Sequence, residues 1–334
     1  SRFKSDSVEG RELIWKITLR NIGAIPIYGL GYGMFSQEYP IWQAKYFGGG
    51  TYSLKEASLA DNEGICFNEV LSIYCETGLL GLAVLLGFVV LVAIQTPRKG
   101  HESDFYTARL SMFAVLILSF FSYPLHIPAV QLIQIFSIII FFFSSEFNFG
   151  GNWVRLIKMR KMNLFLLFAS VCYFVFFLFL FFKIQFWTLT KEQIDEGDID
   201  KIGKYSQILP YLKQNHAFLS DYGNQLYAYG DFRKCLWVLD IGAKFTTEIP
   251  DLMVMAKAYK ELNRFSKSDS ILKLTSNIVP NLFYPRFYLL QNYILEHDTS
   301  RALMIKDQIL KMPIKINSYS VDSIRSATSG LLSP

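Results

Sequence analysis

Apolar positions form unbroken runs in the middle of the chain and helical stripes on either side of them. Residues 79–94 make one run, which 73–78 extend. Two shorter runs follow at 110–125 and 129–144, and Pro124 and Pro128 separate them as a tight hairpin. The fourth, "LFLLFASVCYFVFFLFLFF" over 164–182, ends at Lys183 and Trp187, residues suited to a membrane interface. A spanning helix needs roughly 20 apolar residues, and about 17 suffice. The pattern therefore predicts four spans at about 73–95, 110–125, 129–145 and 163–186.

Charge orients them. "TPRKGHESDFYTAR" carries Arg98, Lys99 and Arg109, and "GGNWVRLIKMRKM" carries Arg155, Lys158, Arg160 and Lys161. The intervening "SYPLHIP" carries no Lys or Arg. Basic loops stay cytoplasmic, so residues 1–77, the 123–128 turn and the tail from 188 onward are expected outside. The domain reading is an outer loop at 1–77, four spans within 78–187, and a separate tail at 188–334.

The tail has helical periodicity and a repeat. Gly230-Asp-Phe232, Asn263-Arg-Phe265 and His297-Asp-Thr299 recur at spacings of 33 and 34, each between two amphipathic stretches. Ala256 and Tyr259 share a face, and Pro250, Pro280 and Pro313 punctuate the units. This resembles a degenerate tetratricopeptide array, with Gly223 as the small residue in the first repeat but Leu290 in the third. Such an array is an α-solenoid with a concave face that holds a protein or an extended ligand. The fold class expected is thus all-α: polytopic membrane helices with an extracytoplasmic helical loop, then a tetratricopeptide-like solenoid.

Composition agrees with a membrane chain. The 334 residues are 51% hydrophobic with 30 Phe and mean hydropathy +0.26. The net charge of +5 comes without a basic arm or base-stacking motif, so nucleic acid is not an expected partner. Cys66, Cys75, Cys172 and Cys235 show no CxxC pair and no metal spacing, and read as packing residues. No metal or cofactor is expected. The opening residues show no basic and apolar signal segment, and a membrane chain that opens in a polar loop reads as part of something longer.

The outer loop carries the candidate chemistry. "SDSVEGRELIWKITLRNIGAIP" predicts a helix starting at Asp6 or Ser7 and ending before Pro26. Leu13, Ile14 and Ile17 form its apolar face, with Arg11, Trp15 and Thr18 on another. Gly29, Gly31 and Gly33 follow a GxGxG spacing with no strand ahead of it, so they read as tight turns and not as a dinucleotide site. In "SLADNEGICFNEVLSIYCETGLLGLAVLLG", residues 58–87, Glu69, Ser72 and Glu76 fall on one stripe of a helix entering the apolar run. Ionisable groups near membrane depth normally face a cavity or the bundle interior. The bland alternative is two solvated interfacial acids.

"GR…IW", "P…GLGYGMF", "QAKYF", "ADN" and "FNEVLSIYCETGLLGL", in that order over about residues 5–95, resemble the O-antigen ligase and polymerase family. These are bacterial integral-membrane glycosyltransferases with a large periplasmic loop ahead of their last helices. The resemblance implies inner-membrane localisation and transfer of a glycan from a polyprenyl diphosphate carrier to a sugar hydroxyl, on lipid A-core or on a growing chain. It implies no metal. By motif position it makes Arg11 the diphosphate-binding residue, with Arg20 second, since a guanidinium stabilises a leaving diphosphate. Gln43, Asn62 and Asn68 are its polar candidates for sugar hydroxyls, with helix capping as the competing role.

In ligases of the family a loop histidine, proposed as base, stands eleven residues before the glycine that is Gly78 here. That position is Phe67, which cannot accept a proton. Three readings follow: Glu69 serves as base, His126 reaches in from the "YPLHIP" turn, or the chain is polymerase-like or divergent and uses no such histidine. The third is favoured on sequence, with Glu69 as the leading polar participant and Glu76 and His126 as further catalytic candidates. His216 and His297 read as surface residues of the tail. The rival function is a non-catalytic membrane scaffold whose repeats recruit envelope proteins. A transporter is a weaker rival, because no span shows an internal charge or a broken-helix repeat.

Overall fold

The computed structural model describes residues 2–146, 160–315 and 318–331. Among them the regular structure is helical, with no strand and one isolated antiparallel bridge between Pro97 and Ser145. The chain divides into two compact units: residues 1–25, 32–66 and 199–334, and residues 26–31 and 67–198.

In the first unit, α1 (Arg2–Arg20), α2 (Phe35–Gly48) and α3 (Leu54–Leu59) come from the stretch before the spans. Helix α1 starts earlier than Asp6. Its Leu13, Ile14 and Ile17 are buried, as the periodicity predicts. Trp15 donates from Nε1 to the Cys66 carbonyl at 2.9 Å, and buried Thr18 bonds back to the Ile14 carbonyl. Helix α2 buries Phe35, Tyr39, Trp42 and Phe47, and packs on α1. A complete capping box, Ser53 with Glu56, starts α3.

The rest of this unit is the tail: α8 (Ile202–Leu212), α9 (His216–Tyr229), α10 (Phe232–Gly242), α11 (Ile249–Glu261), α12 (Phe265–Ile278), α13 (Phe283–Leu295), α14 (Thr299–Lys311) and α15 (Tyr319–Gly330). Consecutive helices pack as pairs, α9 with α10, α11 with α12 and α13 with α14, and each pair packs on the next. The three repeat marks have one backbone form. Gly230, Asn263 and His297 sit at φ 89°, 55° and 58°. The next amide reaches back five residues in each: Asp231 to Leu226, Arg264 to Tyr259 and Asp298 to Tyr293, at 2.8–3.0 Å. That is a Schellman closure, and Asp231 and Asp298 then cap the following helix. Gly197 closes the same way, with φ 105° and Asp198 bonded to Gln193, 33 residues before Gly230.

Helix α2 packs against α12 of the tail. Thr247 is bonded to the carbonyls of Ser36 and Gln37, and Asn281 Nδ2 donates to the Ala57 carbonyl. The stretch up to Cys66 and the tail thus share one core, although they are distant in sequence.

In the second unit, α4 (Glu69–Ile94), α5 (Glu102–Ser119), α6 (Pro128–Ser144) and α7 (Arg160–Asp195) are the apolar helices. Two of them, Glu69–Ile94 and Val171–Asp195, are long and apolar enough to cross a membrane, and Pro128–Ser144 is a shorter apolar helix. The run expected at 110–125 is displaced. The helix begins at Glu102, whose carboxylate takes the Gly100 amide, and ends at Ser119. Residues 124–126 are a short 3-10 turn. Arg155 and Lys158 of the second basic loop lie outside the described residues. Val92, Phe105, Ala108, Met112 and Phe141 form a buried cluster of α4, α5 and α6. The Pro97–Ser145 bridge, with Arg98 N–Ser144 O at 2.7 Å and Glu146 N–Thr96 O at 2.9 Å, joins the ends of α4 and α6.

Helix α4 is broken at Gly78, which has φ 66° and ψ −156°. The break frees backbone groups, and the segment 26–31 takes them. Leu30 and Gly31 donate to the carbonyls of Cys75 and Glu76 at 2.8 and 2.9 Å, and Leu79 donates to Ile27 O at 3.0 Å. Unsatisfied backbone is intolerable in hydrocarbon, and broken spanning helices survive where protein re-satisfies it. Gly29, Gly31 and Gly33 all have positive φ, which explains the glycine spacing as turn chemistry.

Candidate functional site

The site lies at the start of α4. Asn68 is the N-cap: its side-chain oxygen accepts from Leu71 N at 2.9 Å, and its Nδ2 donates to Phe120 O at 3.0 Å. Both ends of the amide therefore have structural partners, and Asn68 caps α4. Glu69 follows in the first helical turn, where the dipole favours an anion. Its side chain is only 6% exposed.

Two donors from the 3-10 turn converge on Glu69 Oε1: the Leu125 amide at 2.9 Å and His126 Nδ1 at 3.1 Å. The sequence separates Glu69 and His126 by 57 positions, and the fold brings them together. A carboxylate only accepts, so opposite the Glu69 carboxylate Nδ1 donates, and a neutral His126 then carries its lone pair on Nε2. The His126 side chain is 51% exposed, and among the described residues Nε2 has no hydrogen-bond partner. Tyr123 stands beside the imidazole with ring centres 6.2 Å apart, and the Phe67 ring meets Tyr123 edge-on at 5.1 Å. Phe67 is held at φ 54°, an uncommon conformation for a non-glycine residue. Tyr123 and the Leu125 amide escaped the sequence reading; the bracketing Pro124 and Pro128 were the available sign of a fixed turn.

Glu69 also lines a cavity of about 200 Å³ between α4, α5 and α6. Its walls are mostly apolar, Ile73, Phe88 and Val92 of α4 with Met112 of α5 among them. Ser119 and Gln134 are further polar residues there. Ser119 is bonded to the Val115 carbonyl, whereas Gln134 Oε1 is buried with no hydrogen-bond partner among the described residues. Glu76 is half-buried two turns further along α4, two residues short of the Gly78 break.

The other candidates lie in the first unit. Arg11 is half-buried on α1. Arg20 is exposed and sits over the Tyr46 ring at 4.9 Å. Gln43 is 2% exposed and bonded at both ends: Nε2 donates to Asp61 O at 2.8 Å and Ile278 O at 2.7 Å, and Oε1 accepts from Tyr39 at 2.6 Å. It is buried away from any sugar hydroxyl, and its role is corrected to tying α2 to the tail. Asn62 donates to Glu248 at 2.6 Å, while its Oδ1 is buried without a partner among the described residues. Beside it, burial and the neighbouring Asp61 and Glu248 carboxylates raise the Glu63 carboxyl above its ordinary range.

His216 is not a plain surface residue, since Nε2 is 2.7 Å from Asp251 Oδ2 between α9 and α11. His297 is exposed at its turn. Cys66, Cys75 and Cys235 are buried, whereas Cys172 is exposed on α7. Among the described residues no cluster of His, Cys, Asp and Glu is arranged to hold a metal ion. No family model matches the chain, and no curated protein matches it.

Proposed function

We propose that this chain acts as a glycan transferase of the O-antigen ligase or polymerase type, moving a polyprenyl-diphosphate-linked glycan to a sugar hydroxyl at the outer face of a bacterial inner membrane. The observation that carries the reading is the buried carboxylate of Glu69, which holds a half-exposed histidine and also lines an apolar cavity between three helices. Such a site offers a proton acceptor beside space for an apolar chain. In this reading the four apolar helices all span the bilayer. Exposed Leu80, Phe121, Phe143 and Tyr173 then face lipid. The joined ends of α4 and α6 support an alternating course, because they put the basic pair Arg98 and Lys99 beside the end of α6. Residues 1–77 and 188–334 are periplasmic.

The acceptor is lipid A-core or a growing glycan chain, and no cofactor is required. Arg11 and Arg20 are the diphosphate-binding candidates that the resemblance supplies. The paired helices of the tail are read as a tetratricopeptide-like solenoid, which favours a second role, recruitment of an envelope protein. The test deletes the gene in the native host and complements it with wild type or Arg11→Ala at matched membrane levels. Surface glycan lost on deletion, restored by wild type and not by Arg11→Ala, supports transfer. Glycan unchanged by deletion overturns it and leaves the scaffold role.

A further inference from the structure

We infer that His126, held by Glu69, is the group that takes the proton from the acceptor hydroxyl, so that the base sits on the turn between α5 and α6 and not at the position of Phe67. The inference rests on the transfer reading above.

Three features of the structure assign the role. The first is tautomer control. Glu69 Oε1 receives both the Leu125 amide and His126 Nδ1, which fixes the ring and leaves the lone pair on Nε2. A histidine whose Nδ1 is bound by a buried carboxylate is oriented to accept at Nε2, and that carboxylate then stabilises the imidazolium that forms. The second is exposure: the Glu69 side chain is 6% exposed and the His126 side chain 51%. The carboxylate is withdrawn from substrate and the imidazole is presented to it. Glu69 is thus a positioning residue. The third is place. Phe67, Tyr123 and His126 follow one another as neighbouring rings, at 5.1 and 6.2 Å. The histidine therefore stands one aromatic ring from Phe67.

The step balances without a further reactant. The acceptor oxygen attacks the anomeric carbon of the donor, and its proton passes to His126 Nε2. The new glycosidic C–O bond forms as the bond from the anomeric carbon to the diphosphate oxygen breaks. The electron pair leaves with the polyprenyl diphosphate. The imidazolium releases its proton to water afterwards.

The test uses the full-length protein in the deletion strain. Surface glycan is read on gels at matched membrane levels, and incorporation of labelled sugar by spheroplasts is read against external pH. Wild type must restore glycan; if it does not, or if the deletion loses none, the transfer reading itself fails. Given restoration, His126→Ala is expected to lower the initial rate about 10²-fold or more and to abolish the acid limb of the pH profile. Glu69→Gln is expected to lower the rate at least about tenfold, because the ring loses the carboxylate that orients it, and Glu69→Asp to recover part of that loss. His101→Ala, at the exposed N-cap of α5, should leave rate and acid limb unchanged. Phe67→His combined with His126→Ala asks whether a histidine one ring away recovers transfer, a gain that a structural role for His126 could not explain. Wild-type rate and pH profile in His126→Ala overturn the assignment and leave transfer standing. A rate loss with an unchanged acid limb also overturns it, making His126 a structural residue.

Discussion

Gly29 and Gly78 meet backbone to backbone. A Cβ built on Gly78 would stand 2.6 Å from the Gly29 nitrogen and 2.1 Å from the Ile27 carbonyl oxygen. A Cβ on Gly29 would stand 2.3 Å from the Glu76 carbonyl oxygen. Both residues also have positive φ, 83° and 66°. The pair lets segment 26–31 satisfy the backbone groups that the break in α4 exposes. Gly78→Ala is therefore expected to cost at least about 1–3 kcal/mol from backbone strain alone, with overlap added. Its membrane level and thermal midpoint in detergent should fall, and Gly29→Ala should do the same. Gly87, which has no atom within 4 Å of a built Cβ, is the tolerant control for Ala substitution.

Gln43 makes a different prediction from the one its motif position suggests. Gln43→Ala removes two donors from the carbonyls of Asp61 and Ile278 and one acceptor from the buried Tyr39 hydroxyl. Unpaired buried polar groups cost about 1–3 kcal/mol each before relaxation. The expected outcome is a thermal midpoint of the first unit lower by at least about 5 °C, at about 2–4 °C per kcal/mol for a domain of 150–250 residues. Glycan chain length in cells that retain the protein should be unchanged. Gln43→Glu should be no better, since a carboxylate cannot donate to either carbonyl.

The sequence was informative where one local signal decides the outcome. Leu13, Ile14 and Ile17 were legible as a buried face because helical periodicity needs no partner to be read. Gly230, Asn263 and His297 were legible as repeat marks, and their common backbone form explains why Gly, Asn and His can share one position: each accepts positive φ. Gly197 escaped because it follows closely on the long apolar run of α7 rather than on an amphipathic stretch. The break at Gly78 escaped because an isolated glycine inside an apolar run reads as tolerated helix, and only the approach of 26–31 makes it a break. Glu69 and His126 were each visible as candidates, but their pairing depends on how α5 ends. The end of α5 at Ser119 leaves room for a turn that carries His126 over the start of α4.

Asn292 joins two repeats through a buried amide. From α13 its Nδ2 donates to Ser268 Oγ and Asp269 Oδ1 of α12, both at 2.9 Å, and Asn292 is fully buried. Asn292→Leu leaves Asp269, 5% exposed, with Arg301 at 4.0 Å as its nearest cation. The expected cost is about 2–3 kcal/mol. Adding Asp269→Leu should return a large part of it, because the penalty belongs to the stranded carboxylate. A double-mutant cycle on thermal midpoints reads the coupling, and strict additivity would place the cost elsewhere.

The first unit should be most stable in mildly acidic solution, for two separate reasons. Burial works against the Glu56 carboxylate, but Lys16, the Ser53 amide and the Tyr46 hydroxyl bond to it and bring its pKa down from 4.5 to about 2. A group depressed on folding adds stability above its unfolded value and loses it as pH falls through its folded one, here between 4.5 and about 2. His216 runs the other way: its hydrogen bond to Asp251 raises its pKa above 6.5, against the opposing effect of burial. Its contribution is complete below 6.5 and is lost as pH climbs through the elevated folded value. Thermal midpoints measured from pH 2 to pH 9 should therefore peak between 4.5 and 6.5. Glu56→Gln should flatten the acid side of that profile, and His216→Gln the alkaline side, each leaving the opposite slope intact. A profile whose slopes ignore both substitutions would place the titrating groups elsewhere in the chain.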